Sequence, residues 1–209
     1  MSETERDLEV LCKLAKELGA ANAVPFNATD VVVDERVRLK CLVPPCKDYG
    51  TNLMCPPYVM SVQEFREVLS KYEWAILIQV EAPIKADMKN EVQQTGDVAG
   101  LYESKKFLDA FRKNFGHNFG QLHRIINKVE AQASMLGYRF ATGFKAGTCT
   151  LCSECIIKNS KETCRHPYRS RPSMEAVGID VFKTAEAAGL PIDFPLKDKA
   201  VWNGLVLIN

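Results

Sequence analysis

The chain has 209 residues, a net charge of +1, and 46% hydrophobic against 25% charged residues. That balance is enough for a real core and excludes a global electrostatic pull toward nucleic acid or membrane. No apolar run approaches the roughly 20 residues of a membrane span.

The N-terminus, MSETERDLEVLCKLAKEL, is charged and amphipathic and lacks a signal-peptide core, so a cytoplasmic protein is expected. Leu8, Leu11, Ala15 and Leu18 form one apolar stripe over residues 4–19, which predicts a helix stopped at Gly19. In DVVVDERVRLK, residues 30–40, Val33, Glu35, Val37 and Leu39 alternate with Asp34, Arg36, Arg38 and Lys40, and the spacing predicts a strand. A loop of Pro, Gly and Cys follows over 41–58. Ser61 with Glu64 three residues on forms a capping box for a helix running to about Tyr72. WAILIQVEA, 74–82, reads as a buried strand, whereas 83–96 carry no clear pattern. Residues 98–136 read as helix, in two pieces or interrupted, with GHNFG at 116–120 as the break. YRFATGF, 138–144, predicts a strand leading into a run of cysteines. Ser173 starts a short helix, a second spans about 180–188, and VWNGLVLIN, 201–209, ends the chain as a strand.

These elements imply one α+β domain over 1–209: a central mixed or antiparallel sheet, helices packed against one face, and two cysteine-rich metal-binding loops at 41–58 and 147–172. No glycine-rich nucleotide loop is present, neither GxGxxG nor GxxxxGK[ST].

Eight cysteines in a chain of this size and class point to metal or redox chemistry rather than to a disulfide scaffold. Cys12 falls beside the apolar stripe and is expected as a core thiol. The other seven form two groups. Cys149, Cys152 and Cys155 stand at three-residue intervals in GTCTLCSEC, with Cys164 nine residues further on. Such a close C-x2-C-x2-C run wraps corners of a [4Fe–4S] cubane, whereas zinc favours separated two-cysteine knuckles. Cys164 is the simplest fourth ligand, and Cys55, in a Cys-Pro pair, competes for that role. The first group, Cys41, Cys46 and Cys55, is less specific. It suits a structural zinc, buried loop thiols, or a second cubane with one iron left open to water or substrate. Lys47, Asp48, Tyr49 and Asn52 would line such a position, or serve as turn-formers.

Among the histidines, His117 and His123 flank the GHNFG break and read as capping or surface residues. His166, close to Cys164, is a candidate hydrogen-bond donor to cluster sulfur or a proton donor. Lys145, Lys158, Lys161, Arg165, Arg169 and Arg171 against Glu154 and Glu162 make a basic collar. It would raise a cluster's potential or attract an acidic partner or anionic substrate, or else be solvated, ion-paired loop. With only Tyr168 as an interleaved aromatic, nucleic-acid binding is not expected.

The stretches VVVDERVRLKC, YGTNLMCPPY, GTCTLCSEC and CRHPYRSRPSMEAVGIDVFKTAEAAGL resemble a family of predicted metal-binding proteins of archaea and anaerobic bacteria, a domain of unknown function. The resemblance covers nearly the whole chain. It implies Cys41, Cys46, Cys55, Cys149, Cys152, Cys155 and Cys164 as ligands and supplies no reaction. SMEAVGID, 173–180, belongs to it too; its Glu175 and Asp180 either reach the metal region or serve as helix N-terminal carboxylates.

Three functions follow as expectations. The first is an iron–sulfur redox protein with one or two [4Fe–4S] clusters, passing electrons to a partner. The second is an enzyme whose three-cysteine cluster binds a small anionic substrate at its open iron for desulfuration, sulfur transfer or reduction. The third is a zinc-stabilised interaction module. A radical S-adenosylmethionine enzyme fits poorly because neither group contains CxxxCxxC. A thiol–disulfide oxidoreductase fits poorly because Cys155 follows Cys149-x2-Cys152.

Overall fold

A computed structural model of the chain describes residues 2–85, 104–158, 162–193 and 198–209. Helix α1 (Glu3–Glu17) starts at Ser2, whose side chain and that of Glu5 cap each other's backbone, and buries Leu8, Leu11, Cys12 and Ala15. Strand β1 (Asn22–Asn27) follows. The short α2 (Glu35–Leu39) and α3 (Val62–Leu69) precede β2 (Trp74–Pro83). Then come the long α4 (Lys105–Met135), β3 (Thr142–Lys145), α5 (Val181–Ala187) and β4 (Lys199–Ile208).

The four strands pair antiparallel in the order β1-β2-β4-β3. The two central strands are buried on both faces, which is why WAILIQVEA reads as a continuous apolar run. Ile76, Ile78, Val80, Trp202 and Val206 pack against α1 and α4. Ala75, Leu77, Leu205 and Leu207 pack on the opposite face against Phe65 of α3, Ala185 of α5 and the segment Met174–Ile179. Helices therefore cover both faces, not the one expected.

Several elements depart from the sequence reading. The alternation at 30–40 is not a strand. Its β-pairing is confined to an isolated bridge, Val33 to Ile179. Asp34 then accepts from the Arg36 N–H at 2.8 Å and starts α2, whose residues are not buried, so the period-two pattern has no sheet to serve. Strand β1 was not expected. Pro25 argues against a strand, but β1 lies at the sheet edge, where a missing N–H is tolerated. The GHNFG break does not occur. Gly116 and Gly120 sit on the exposed side of α4, and their cost of about 1 kcal/mol each is outweighed by packing of the neighbouring aromatics. Phe115 and Phe119 close on Trp202 at 4.8 and 5.3 Å between ring centroids. Residues 98–103 of that reading, and 86–96 of the stretch without a pattern, lie outside the described residues. Finally, 138–141 form a turn rather than strand, closed by the Ala141 N–H on the Tyr138 carbonyl at 2.9 Å, and β3 begins at Thr142. Among the described residues no helix is long and apolar enough to cross a membrane.

Candidate metal centre

The edge strand β3 delivers the second cysteine group. Its backbone is held on one side by β4 and on the other by the segment 172–174, through Lys145 N–H to Pro172 O at 3.1 Å and Met174 N–H to Lys145 O at 2.9 Å. The chain then bends through Ala146, Gly147 and Thr148 into Cys149. Gly147 has φ +65°, a conformation that favours glycine, and a Cβ there would stand 3.3 Å from the Phe119 ring, close enough that the ring would have to give way. Lys145 folds back over this bend. Its Nζ donates to the carbonyls of Ala146, Gly147 and Thr148 at 2.8, 3.1 and 2.7 Å.

The first cysteine loop is a chain of tight turns. Cys46 N–H donates to Cys41 O, Tyr49 N–H to Cys46 O, and Cys55 N–H to Asn52 O, each at 3.0–3.1 Å. Arg38 of α2 anchors it, donating to the carbonyls of Met60 and Ala176 at 3.0 and 2.8 Å.

The two loops meet. Asn52, 7% exposed, donates through Nδ2 to Thr148 Oγ1 at 2.9 Å and to Cys149 O at 3.1 Å, while its Oδ1 accepts from Met54 N–H at 3.0 Å. Cys55 Sγ lies 3.4 Å from Thr148 Oγ1. Leu53 N–H donates to Cys155 Sγ at 3.5 Å, and His166 N–H donates to Cys164 Sγ at 3.3 Å.

All eight cysteines are free thiols. Beyond burial, charge on Cys46 raises Cys41, charge on Cys46 and Cys41 raises Cys55, and charge on Cys164 and Cys152 raises Cys149. Burial pushes the Cys55 thiol up to about 11 and raises Cys41 and Cys149 as well. Such thiols hold their protons until a cation replaces them, so a metal bound here would release protons. Burial also lowers Lys145, to about 8, against the opposing charges of Cys149, Glu175 and Cys55. Among the described residues, no three His, Cys, Asp or Glu side chains stand within joint reach of one metal ion. The donor set nevertheless fits a thiophilic metal: seven thiols on two adjoining loops, with main-chain N–H groups aimed at two of the sulfurs.

Other predicted residues take different places. Cys12 is a core thiol, pushed up to about 11 by burial. His117 is exposed in mid-helix, so it caps nothing. His123 is not at the surface: it is 2% exposed, with Nε2 2.7 Å from the Arg169 carbonyl. His166 reaches Cys164 through its backbone rather than its ring. Asp180 caps α5 by accepting from Lys183 N–H at 3.1 Å. Glu175 differs, with Oε2 buried and without a hydrogen-bond partner. Of the first-loop residues, Lys47 and Asp48 face each other at 3.9 Å with Lys47 mostly exposed, and Tyr49 is exposed. The basic collar is smaller than its formal charge. Lys145 is fully buried, and Arg171 is locked to Glu130 of α4, with Nε to Oε2 at 2.7 Å. Arg165 and Arg169 remain exposed; Lys161 and the Lys158 side chain lie outside the described residues.

Sequence reasoning missed three roles: Asn52 as the link between loops, Thr148 as its partner, and Lys145 as an interior cation. The last was legible, since alternation along β3 puts Lys145 on the same side as Gly143, which packs against Ile126.

No curated protein and no solved structure matches the chain. The family model described as predicted metal-binding protein (DUF2284) matches residues 25–208, from β1 through both cysteine loops to β4, and the chain belongs to that family.

Proposed function

We propose that the protein is an iron–sulfur redox protein holding up to two [4Fe–4S] clusters and passing electrons to a partner. The observation that carries this reading is the second cysteine group. Cys149, Cys152 and Cys155 turn on one short segment with Cys164 beyond it, and the N–H groups of Leu53 and His166 donate to the sulfurs of Cys155 and Cys164. Donors to thiolate sulfur are a principal means by which a protein sets cluster potential. In this reading Cys149, Cys152, Cys155 and Cys164 hold one cluster, and Cys41, Cys46 and Cys55 hold three corners of another. A bound cluster supplies one-electron transfer. The chain's own residues do the rest. Asn52 fixes the two loops against each other, Gly147 and Phe119 set the bend that presents Cys149, and exposed Arg165 and Arg169 offer a basic docking surface to an acidic redox partner or anionic substrate.

A second reading has one observation in its favour. The first group offers only three thiols, and Cys46 among them is exposed. A cluster held there would keep one iron open to a small anionic substrate, which would make the protein an enzyme of desulfuration, sulfur transfer or small-molecule reduction.

The test is iron, sulfide and zinc per chain on anaerobically purified protein, with EPR spectra before and after reduction. About eight irons with equal sulfide is the expected result. A spectrum that changes on adding small anions, such as thiosulfate, would favour the open-iron enzyme. About four irons would confine the chemistry to one site. Stoichiometric zinc without iron would overturn both redox readings and leave the zinc module.

A further inference from the structure

Among the described residues Lys145 is the one fully buried lysine. All three of its ammonium protons go to main-chain carbonyls, those of Ala146, Gly147 and Thr148, and the Phe119 ring lies 5.7 Å from Nζ. The hydrogen-bond partners are neutral. Dipoles hold the charge in place without cancelling it, and an interior ammonium that only shaped a bend would be costly where an apolar side chain could fill the volume. Both loops adjoin it: its last acceptor belongs to Thr148, the residue before Cys149, and Thr148 Oγ1 lies 3.4 Å from Cys55 Sγ, while Met174 N–H donates to the Lys145 carbonyl at 2.9 Å and the next residue, Glu175, buries an Oε2 with no hydrogen-bond partner.

We propose that Lys145 is the built-in countercharge of the thiolate centre, shared by both cysteine loops, and that with Glu175 it sets the reduction potential there. The inference rests on the iron–sulfur reading above. A cluster held by thiolates is anionic and gains a further negative charge on reduction. A fixed cation nearby favours the reduced form over the oxidised one and raises the potential, and a nearby carboxylate lowers it. The three carbonyls make this cation rigid. Its last bond is to Thr148, the residue before Cys149, which fixes the ammonium beside the turn that carries that ligand. Lys145 is thus a positioning and tuning residue, not a group that exchanges electrons or protons with a substrate.

The test is a redox titration followed by EPR on three full-length proteins purified anaerobically: wild type, Lys145→Gln and Glu175→Gln. Iron and sulfide are counted in each. Gln at 145 keeps donors for the bend and removes the charge; Gln at 175 removes the opposite charge and leaves the bend untouched. The midpoint of the cluster assigned to Cys149, Cys152, Cys155 and Cys164 is expected to fall in K145Q and to rise in E175Q. The K145Q shift should be at least tenfold in the reduced-to-oxidised ratio at fixed potential, about 59 mV for one electron. Unchanged midpoints in both variants with full clusters would overturn the proposal and leave Lys145 a purely structural residue. If K145Q loses its cluster, E175Q decides alone: a rise supports the countercharge, and no shift overturns it. Wild-type protein without iron and sulfide would remove the iron–sulfur reading itself, and the countercharge with it, before any variant is compared.

Discussion

The sheet and the cysteine loops are built on opposite principles. The sheet is over-determined. β2 and β4 pair along ten residues, both faces are packed, and Ile126 of α4 fits so closely over the strands that a Cβ on Gly204 would lie 2.5 Å from its Cδ1. The loops have few packed apolar side chains and are held by a handful of polar bonds, chiefly those of Asn52, Arg38 and Lys145. The first region stabilises itself by burial; the second is arranged to be completed by something else. A rigid scaffold thus carries a loosely held thiol-rich rim, and disturbing one should leave a different signature from disturbing the other.

The largest effect belongs to the scaffold. Ile126→Ala is expected to cost about 4 kcal/mol in chemical denaturation of metal-free protein, from lost burial plus a cavity under Gly143 and Gly204. Next is the tie between scaffold and rim. Glu130 accepts from Gly143 N–H at 2.6 Å and from Arg171, and this pair is largely shielded from solvent. Arg171→Met strands the carboxylate and should lower stability by about 3 kcal/mol by the same measurement, the low end for a shielded pair because some solvent remains. Large losses for both variants in metal-free protein, with clearly smaller ones for rim variants, would sharpen the contrast.

Acid should act through His123. Burial holds it near pH 4 against 6.5 for a free imidazole; Nε2 is committed to the Arg169 carbonyl, and Nδ1 is buried with no hydrogen-bond partner. Between those values the unfolded chain takes up a proton that the folded chain refuses. The contribution of neutral His123 is therefore complete above pH 6.5 and lost as the pH falls toward 4, on the order of 2–3 kcal/mol. Denaturation curves of wild type and His123→Gln across that range should diverge above pH 6.5 and draw together below it. Smaller still in stability, Asn52→Ala should cost about 1–2 kcal/mol through its lost bonds between the loops. Its larger consequence should be faster loss of bound metal to a chelator. Least of all, Cys164→Ser should shift metal-free stability by no more than about 0.5 kcal/mol. In the same protein, metal analysis should show loss of the metal assigned to the second group. A large fall in metal-free melting for either rim variant would break the comparison.

Much of the scaffold was legible in the sequence because its signals are local and redundant. The apolar stripe of α1, the Ser61–Glu64 capping box and the apolar runs of β2 and β4 each state one structure. The misreadings came where local pattern and tertiary packing disagree. DVVVDERVRLK alternates without being in a sheet, because Asp34 turns the chain. GHNFG looks like a break, but its glycines face solvent while Phe115 and Phe119 are held by Trp202. The two cysteine groups that nominate candidate ligands were visible in the sequence as spacing. Their surroundings were not, because Asn52 and Thr148 are 96 residues apart and no periodicity connects them. His123 and Lys145 were misplaced for one reason: polarity suggested surface, whereas each lies inside with a backbone carbonyl as partner.

The strand order has a consequence for how the thiols come together in time. β3, which leads into Cys149, has its sheet partner in β4, and β4 is the last strand to be made. Until residues 199–208 are inserted between β2 and β3, the second cysteine loop has no seat in the sheet and Asn52 has no fixed partner across the gap. A nascent chain therefore exposes its first thiols long before it can close them against the others. Topology alone makes metal capture by the finished arrangement a late event, after the sheet has locked.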